Sequence, residues 1–365
     1  TSEESIAMMM TRGNTPALEK GQHYRLVLGE DGEWTCTAAA GDVGLLTLRA
    51  RPGLLMESFA EQVEQIRQLS EMSATASNPE VDTAFVTKLV DGMFSFPAQI
   101  DVFTLTVHGD QTKGYDAHAE ITPVAGGWLA GLVTRVQPTG KGAPTLPEGA
   151  LTMAFDCAPA AFEPLVDNLI DFVLSMAPAE QRDALRATIA DSRDLFDGTG
   201  AFTFQDRRGT VVYGCDGAKA AAKLASEDWT KLQEAILTTH GGPTETTREK
   251  VGDLDVLRVS GTIDDNPMFP DGKLESATFV VGDMLVSAIN TDDEALRTLA
   301  ARAKEGKRAA LPGGALLTFR MDFAQLVALS GNADLDPGDM PKAVACRIGK
   351  KQGSPVLTMD TRVEF

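Results

Sequence analysis

Leu146-Pro147-Glu148-Gly149-Ala150-Leu151 returns 165 positions later as Leu311-Pro312-Gly313-Gly314-Ala315-Leu316. Proline fixes one backbone angle and glycine relaxes another, so each LPxGAL copy sets the chain's direction before a strand. The first copy leads into an apolar run, Thr152 to Phe155, and then a helical period. Phe162, Leu165, Val166, Leu169, Ile170, Val173 and Met176 recur there at steps of three and four. The second leads through Leu317 to Phe319 into a helical stretch from Phe323 to Leu329. Leu45-Leu46-Thr47-Leu48-Arg49 resembles Leu316 to Arg320 and adds a third copy of the strand without the turn.

Working outward, Tyr24 to Leu28 and Glu33 to Thr37 flank Asp31-Gly32 as a hairpin. Leu55, Phe59, Val63, Ile66 and Leu69 mark a helix over 54–69, and a second helix is expected over 85–93. Ile100 to Val107 and Tyr115 to Ile121 read as a long hairpin around His108-Gly109-Asp110, and Gln137 to Pro147 reads as a linker rich in proline and glycine. Pro178 breaks one helix and begins another. Ala201 to Phe204 and Thr210 to Tyr213 form a hairpin, followed by an alanine-rich helix from Ala218 and a polar loop. Leu254 to Val259, Ala277 to Val281 and Met284 to Ala288 are strands, and Thr291-Asp292-Asp293-Glu294 reads as a capping box. Ala343 to Ile348 and Val356 to Val363 close the chain as strands.

These elements predict an α+β fold: duplicated units of curved antiparallel sheet with long amphipathic helices packed on one face. The expected division is residues 1–145, with a polar leader over 1–20, and residues 146–365. At 365 residues, with 43% hydrophobic and 23% charged, the chain has the make-up of a two-domain globular protein.

A formal charge of −19 repels phosphate backbones, which argues against nucleic acid as a partner. The longest apolar run near the start, Ile6 to Met10, is far below the roughly 20 residues of a membrane span, so no transmembrane segment is expected. The sequence opens at Thr1 on a polar stretch, as a mature exported protein would and as an artificially trimmed chain would equally. Cys36, Cys157, Cys215 and Cys346 form no CxxC. Two adjacent strand ends could join Cys157 to Cys215, with buried free thiols as the other reading.

The order LPxGAL, strand, long amphipathic helix, Asp197-Gly198-Thr199-Gly200-Ala201-Phe202-Thr203-Phe204 and a hairpin of small residues resembles exported bacterial envelope proteins with duplicated α+β halves. Similar members are reminiscent of tubular lipid-binding or lipoprotein-carrier folds. The resemblance implies an extracytoplasmic location, periplasmic, envelope-associated or secreted, and an apolar ligand. It supplies no catalytic residues.

Among chemical constellations, His108 and His118 straddle the long hairpin with Asp101, Asp110 and Asp116 nearby, and exposed strand histidines are favoured over a metal site. Asn332, Asp334 and Asp336 stand at alternate positions as calcium loops require. The glycine falls one place late, however, and Ala343 replaces the bidentate carboxylate. Asp82 and Asp197 sit in turns faintly like those of aspartic peptidases. No GxSxG, GxGxxG or GxxxxGK[ST] is present, so no cofactor is expected.

The expectation is therefore an extracytoplasmic, non-enzymatic binding or scaffold protein. Phe162, Leu165, Leu169 and Val173 would line an apolar groove for a lipid-like ligand or a protein partner. A secreted aspartic-type peptidase using Asp82 and Asp197 is the alternative, and self-association through apolar helix faces is a third reading.

Overall fold

The computed structural model describes residues 24–28, 34–38, 46–53, 64–69, 72, 95–110, 114–161, 182–190, 193–231, 245–262, 272–330 and 341–365. The chain divides into two compact units, residues 1–135 with 348–365, and residues 136–347.

In the first unit, strands β1 (Tyr24–Leu28), β2 (Trp34–Ala38), β3 (Leu46–Ala50), β4 (Ile100–Asp110) and β5 (Gly114–Pro123) precede helix α1 (Trp128–Arg135). The last strand of the chain, β17 (Leu357–Glu364), returns to this unit. The strand order is β17-β5-β4-β3-β1-β2. Pairing is antiparallel except that β1 runs parallel to β3. Leu129 and Val133 on α1 are fully covered and pack with Ile100 against Phe103, Ile121 and Leu357. The opposite sheet face is polar, because period two places Asp116, His118 and Glu120 together on it. There Arg362 donates to both oxygens of Asp116 at 3.0 and 2.9 Å, and His118 Nδ1 lies 2.7 Å from Asp360.

In the second unit, β6 (Ala143–Pro144), β7 (Leu151–Asp156), helix α2 (Arg182–Ala190), β8 (Phe196–Gln205), β9 (Arg208–Cys215) and helix α3 (Gly217–Leu224) lead to a four-strand meander. Its strands are β10 (Glu245–Val251), β11 (Leu254–Thr262), β12 (Lys273–Val281) and β13 (Met284–Ile289). Helix α4 (Asp293–Lys304), β14 (Arg308–Ala309), β15 (Leu317–Asp322) and helix α5 (Phe323–Ser330) follow, and β16 (Ala343–Lys350) begins in this unit and ends in the first. The order β10-β11-β12-β13-β9-β8-β7-β15 makes one antiparallel sheet. Tight two-residue turns drive the meander. Val251 pairs with Leu254 around Gly252, at φ +68°, and Val281 pairs with Met284 around Gly282, at φ +59°.

The expected α+β class is corrected by this architecture. Antiparallel sheet dominates the described residues, and the α-helices α1 to α5 are only 8 to 12 residues long. Nor are they confined to one face. Alternate residues of β13 go opposite ways: Leu285 joins a cluster with Leu224 and Ala220 of α3, while Met284, Val286 and Ala288 join Leu296 and Ala300 of α4. Burial on both faces explains the near-continuous apolar runs of β12 and β13, which carry no clean alternation.

Local expectations shift too. The polar segment before Leu254 is strand β10, whose Glu245, Arg248, Glu249 and Lys250 are tolerated because it is a sheet edge. Residues 137–147 are no linker: Ala143 and Pro144 pair with Ala309 and Arg308, and Thr139 binds Asp156. The cap of α4 is Asp292, which accepts from Ala295 N at 2.9 Å, while Thr291 donates to the Ile289 carbonyl. The expected helices over 85–93 and 162–176 lie outside the described residues, as does most of 54–69.

The two LPxGAL turns are joined by their flanks. Short strands β6 and β14, which precede the turns, pair with each other. So do β7 and β15, which follow them, with Leu317 opposite Phe155 and Arg320 opposite Thr152. Asp156 N donates to the Leu316 carbonyl and Asp322 N to the Ala150 carbonyl, closing both ends of that pair. Within the turns Ala150 and Ala315 are buried, and Gly313 and Gly314 adopt φ of +65° and +71°. A local two-fold thus relates the repeated segments.

Candidate functional site

Asp197 is the one candidate catalytic residue among the described positions; Asp82 lies outside them. The register of β8 against β9 shifts between Phe196 and Gly200, so Asp197, Gly198 and Thr199 bulge from the strand. Gly198 takes φ +87°, and a Cβ there would meet the Cys157 carbonyl at 2.2 Å. On the facing strand a Cβ at Gly214 would lie 2.3 Å from both Asp197 Oδ1 and Thr199 Oγ1. Two glycines therefore clear the space that the carboxylate and hydroxyl occupy. Gly200 admits the Phe155 ring, whose nearest carbons would be 2.5 Å from an added Cβ. The Asp-Gly-Thr-Gly run is built for packing.

Cations converge on this bulge. Asp197 Oδ1 accepts from Thr199 N at 3.0 Å and from Thr199 Oγ1 at 2.6 Å. Asp197 Oδ2 accepts from Lys141 Nζ at 3.1 Å and from Arg308 Nη1 at 3.2 Å. Arg308 also donates to Thr199 Oγ1 at 2.6 Å and, through Nη2, to Asp283 at 2.9 Å. Burial pushes the Asp197 carboxyl up, but the Thr199 hydroxyl, Lys141, the Thr199 amide and Arg308 outweigh it and hold it below the ordinary range. A carboxylate so paired stays ionised. A peptidase dyad needs two carboxyls sharing one proton, whereas the second carboxylate here, Asp283, stands on the far side of the Arg308 guanidinium. The cluster can clasp β8, β14 and the β12–β13 turn together.

Lys141 and Arg308 stand just before the two LPxGAL turns, on or beside the paired strands β6 and β14. The readable signal was a basic residue shortly upstream of each copy.

The buried thiols sit beside the same bulge. Cys157 N donates to the Gly198 carbonyl, and Cys215 pairs with Phe196, so β8 separates them. Two strand spacings of roughly 4.8 Å exceed the reach of a disulfide, about 7 Å between Cα atoms, and both cysteines are free. Burial drives each thiol up to about 11.

The expected groove residues Phe162, Leu165, Leu169 and Val173 lie outside the described residues, as do the calcium candidates Asn332, Asp334 and Asp336. His108 and His118 are both exposed, and among the described residues no group of three or more His, Cys, Asp or Glu side chains is placed to hold a metal. An open groove of about 580 Å³ lies between α3 and strands β10 to β12, lined by Leu224, Arg248, Leu254, Val256 and Val280. Arg248 is committed there, donating to the carbonyls of Leu224 and Ser226 and to the Thr230 hydroxyl.

Apolar surface in the first unit faces solvent. Residues 64–69 and 72 are helical, and Ile66, Leu69 and Met72 are 42%, 61% and 60% exposed. Ile66 and Leu69 stand one turn apart on the same helix face. Among the described residues no helix is long and apolar enough to cross a membrane.

No family model matches the chain, and no curated protein does. Among solved structures, crystal form IV of TP0453 aligns over 60% of this chain and 78% of that one, at 10% identity and a TM-score of 0.29. A superposition that loose defines neither fold nor role.

Proposed function

We propose that the chain is an extracytoplasmic, non-enzymatic binding or scaffold protein that offers apolar surface to a lipid-like ligand or a partner. The observation that carries this reading is the exposure of Ile66, Leu69 and Met72. A core helix buries its apolar face, yet here that face is exposed in a chain of charge −19. The neighbouring polar residues Glu64, Gln65, Arg67 and Gln68 include only one cation, which suits a neutral apolar ligand better than an anionic one. The extracytoplasmic part rests on the resemblance to exported envelope proteins. The Asp197 cluster supports a non-enzymatic role, because its cations hold the carboxylate in an ion-pair clasp.

The test is binding of an environment-sensitive apolar dye to the purified chain, with mass spectrometry of an organic extract for retained lipid. The triple variant Ile66→Ser, Leu69→Ser, Met72→Ser is expected to lower dye affinity by roughly tenfold or more. Unchanged dye binding by that variant, together with an extract free of lipid, would remove the basis of the proposal.

A further inference from the structure

A second exposed apolar surface in the first unit has a different character. Phe96 and Trp128 are 40% and 41% exposed, and their rings approach to 6.1 Å between centroids; Val124, 37% exposed, stands four residues before the tryptophan. The backbone binds them into one tip. Gln99 N donates to the Phe96 carbonyl, Val124 N to the Gln99 carbonyl, and Gly127 N to the Val124 carbonyl. Gly126, at φ +77°, turns the chain into α1, whose next residues Leu129 and Val133 are fully buried. The tip is therefore anchored by the core while Phe96, Val124 and Trp128 each keep more than a third of their surface exposed.

Charge is missing from it. Residues 92–100 and the fourteen residues 121–134 contain no Asp, Glu, Lys or Arg, in a chain where 23% of residues are charged. A solvated loop would not need that exclusion. A tip that must leave water would, since each charge carried into an apolar phase is costly.

From these residues we infer that the Phe96–Val124–Trp128 tip is a docking site for an uncharged or zwitterionic lipid surface. Three observations select that occupant. The apolar residues project from a turn and a helix start, whereas a small ligand is held in a concavity. Tryptophan and phenylalanine with an uncharged flank suit the headgroup boundary, where an amphipathic ring meets both phases. The chain's −19 charge repels anionic bilayers, so attachment must come from apolar insertion and not from electrostatics. The tip does not include Ile66, Leu69 or Met72, so the two readings stand or fall separately.

The experiment is co-flotation of the full chain with phosphatidylcholine vesicles and with phosphatidylglycerol vesicles at low and high salt. Wild type is expected to float with phosphatidylcholine independently of salt, and poorly with phosphatidylglycerol at low salt. Phe96→Ser with Trp128→Ser should lower partition by roughly tenfold or more while circular dichroism and Tm show the fold retained. Trp128→Phe should keep most of the partition but remove tryptophan emission that brominated phosphatidylcholine quenches. Absence of flotation, flotation unchanged in the double serine variant, or emission that brominated lipid does not quench would each overturn the inference. So would loss of self-association in that variant with lipid partition intact, which would make the tip a protein interface. If the Ile66, Leu69, Met72 variant alone abolished flotation, the tip assignment would fall and the proposed function would remain.

Discussion

Arg308 on β14 reaches Asp197 on the bulge of β8 at 3.2 Å, with the two side chains only 12% and 11% exposed. The pair joins residues 111 positions apart. Arg308 belongs to a strand whose partner, β6, precedes the other copy of the LPxGAL turn, so the repeat delivers a cation to a bulge that the repeat does not contain.

Removing the carboxylate leaves Arg308 nearly buried with Asp283 as its remaining anion. Asp197→Asn is expected to cost about 2–3 kcal/mol, less than a fully enclosed pair because Lys141 is solvated and Asp283 persists. Thermal unfolding should show a fall in Tm of roughly 5–10 °C. Pairing Asp197→Asn with Arg308→Met in a double-mutant cycle should return a positive coupling, and strict additivity would mean that the contact contributes nothing.

The same carboxylate gives acid stability a defined direction. Its folded pKa is depressed, so its contribution is fully present above the unfolded value of about 3.9 and is lost as pH falls through the lower folded value. Chemical denaturation across the acid range should therefore decline more steeply for wild type than for Asp197→Asn. Parallel curves would show that Asp197 is not the titrating group.

Gly198 and Gly200 test whether the Asp-Gly-Thr-Gly run is structural. Gly198→Ala combines a positive φ with a backbone carbonyl 2.2 Å from the new carbon, and Gly200→Ala would strike the Phe155 ring. Losses of about 2–4 kcal/mol at Gly198 and about 1–3 kcal/mol at Gly200 are expected in urea unfolding. The order matters, since a ring can rotate away and a backbone carbonyl cannot.

Much of the strand framework was legible because turn chemistry is local. Gly282 between Val281 and Met284 announces its hairpin, and the strands after each LPxGAL turn begin within one residue of expectation. Strand β10 was hidden because an edge strand can carry Arg248, Glu249 and Lys250 without an apolar face. The burial of both sheet faces was hidden for a related reason: an apolar run reads the same in a covered sheet as in a helix. At the candidate site Asp197 was visible from its turn, but its partners Lys141 and Arg308 meet it only through tertiary pairing. Periodicity placed Ile66 and Leu69 on one face without telling whether that face was covered, since core and exposed stripes share one spacing.

Cys157 and Cys215 should be chemically silent in the folded protein. With each thiol raised to about 11, roughly one molecule in a thousand is thiolate near pH 8. Iodoacetamide labelling followed by peptide mass spectrometry should modify half-buried Cys346 well before either of them, and label both only on unfolding. Recovery of a Cys157–Cys215 cross-linked peptide from the native protein would contradict the strand order, because β8 lies between them.

Arg258 carries a further electrostatic prediction. It extends from β11 to Glu249 on β10, Glu275 on β12 and Asp293 at the start of α4, and is only 15% exposed. Burial opposes its charge, but Glu249 and Glu275 raise its pKa, so it remains a cation at any pH the fold survives. Arg258→Met keeps an unbranched apolar stem and leaves three carboxylates facing one another. The expected loss is about 2–3 kcal/mol, above that of a surface pair because repulsion replaces attraction and below that of an enclosed one because the carboxylates are half exposed. Two controls separate that repulsion from lost packing. Added salt should recover part of the deficit by screening, and lowering the pH toward the carboxylate range should narrow the gap to wild type. A deficit that ignores both would assign the role of Arg258 to its aliphatic stem.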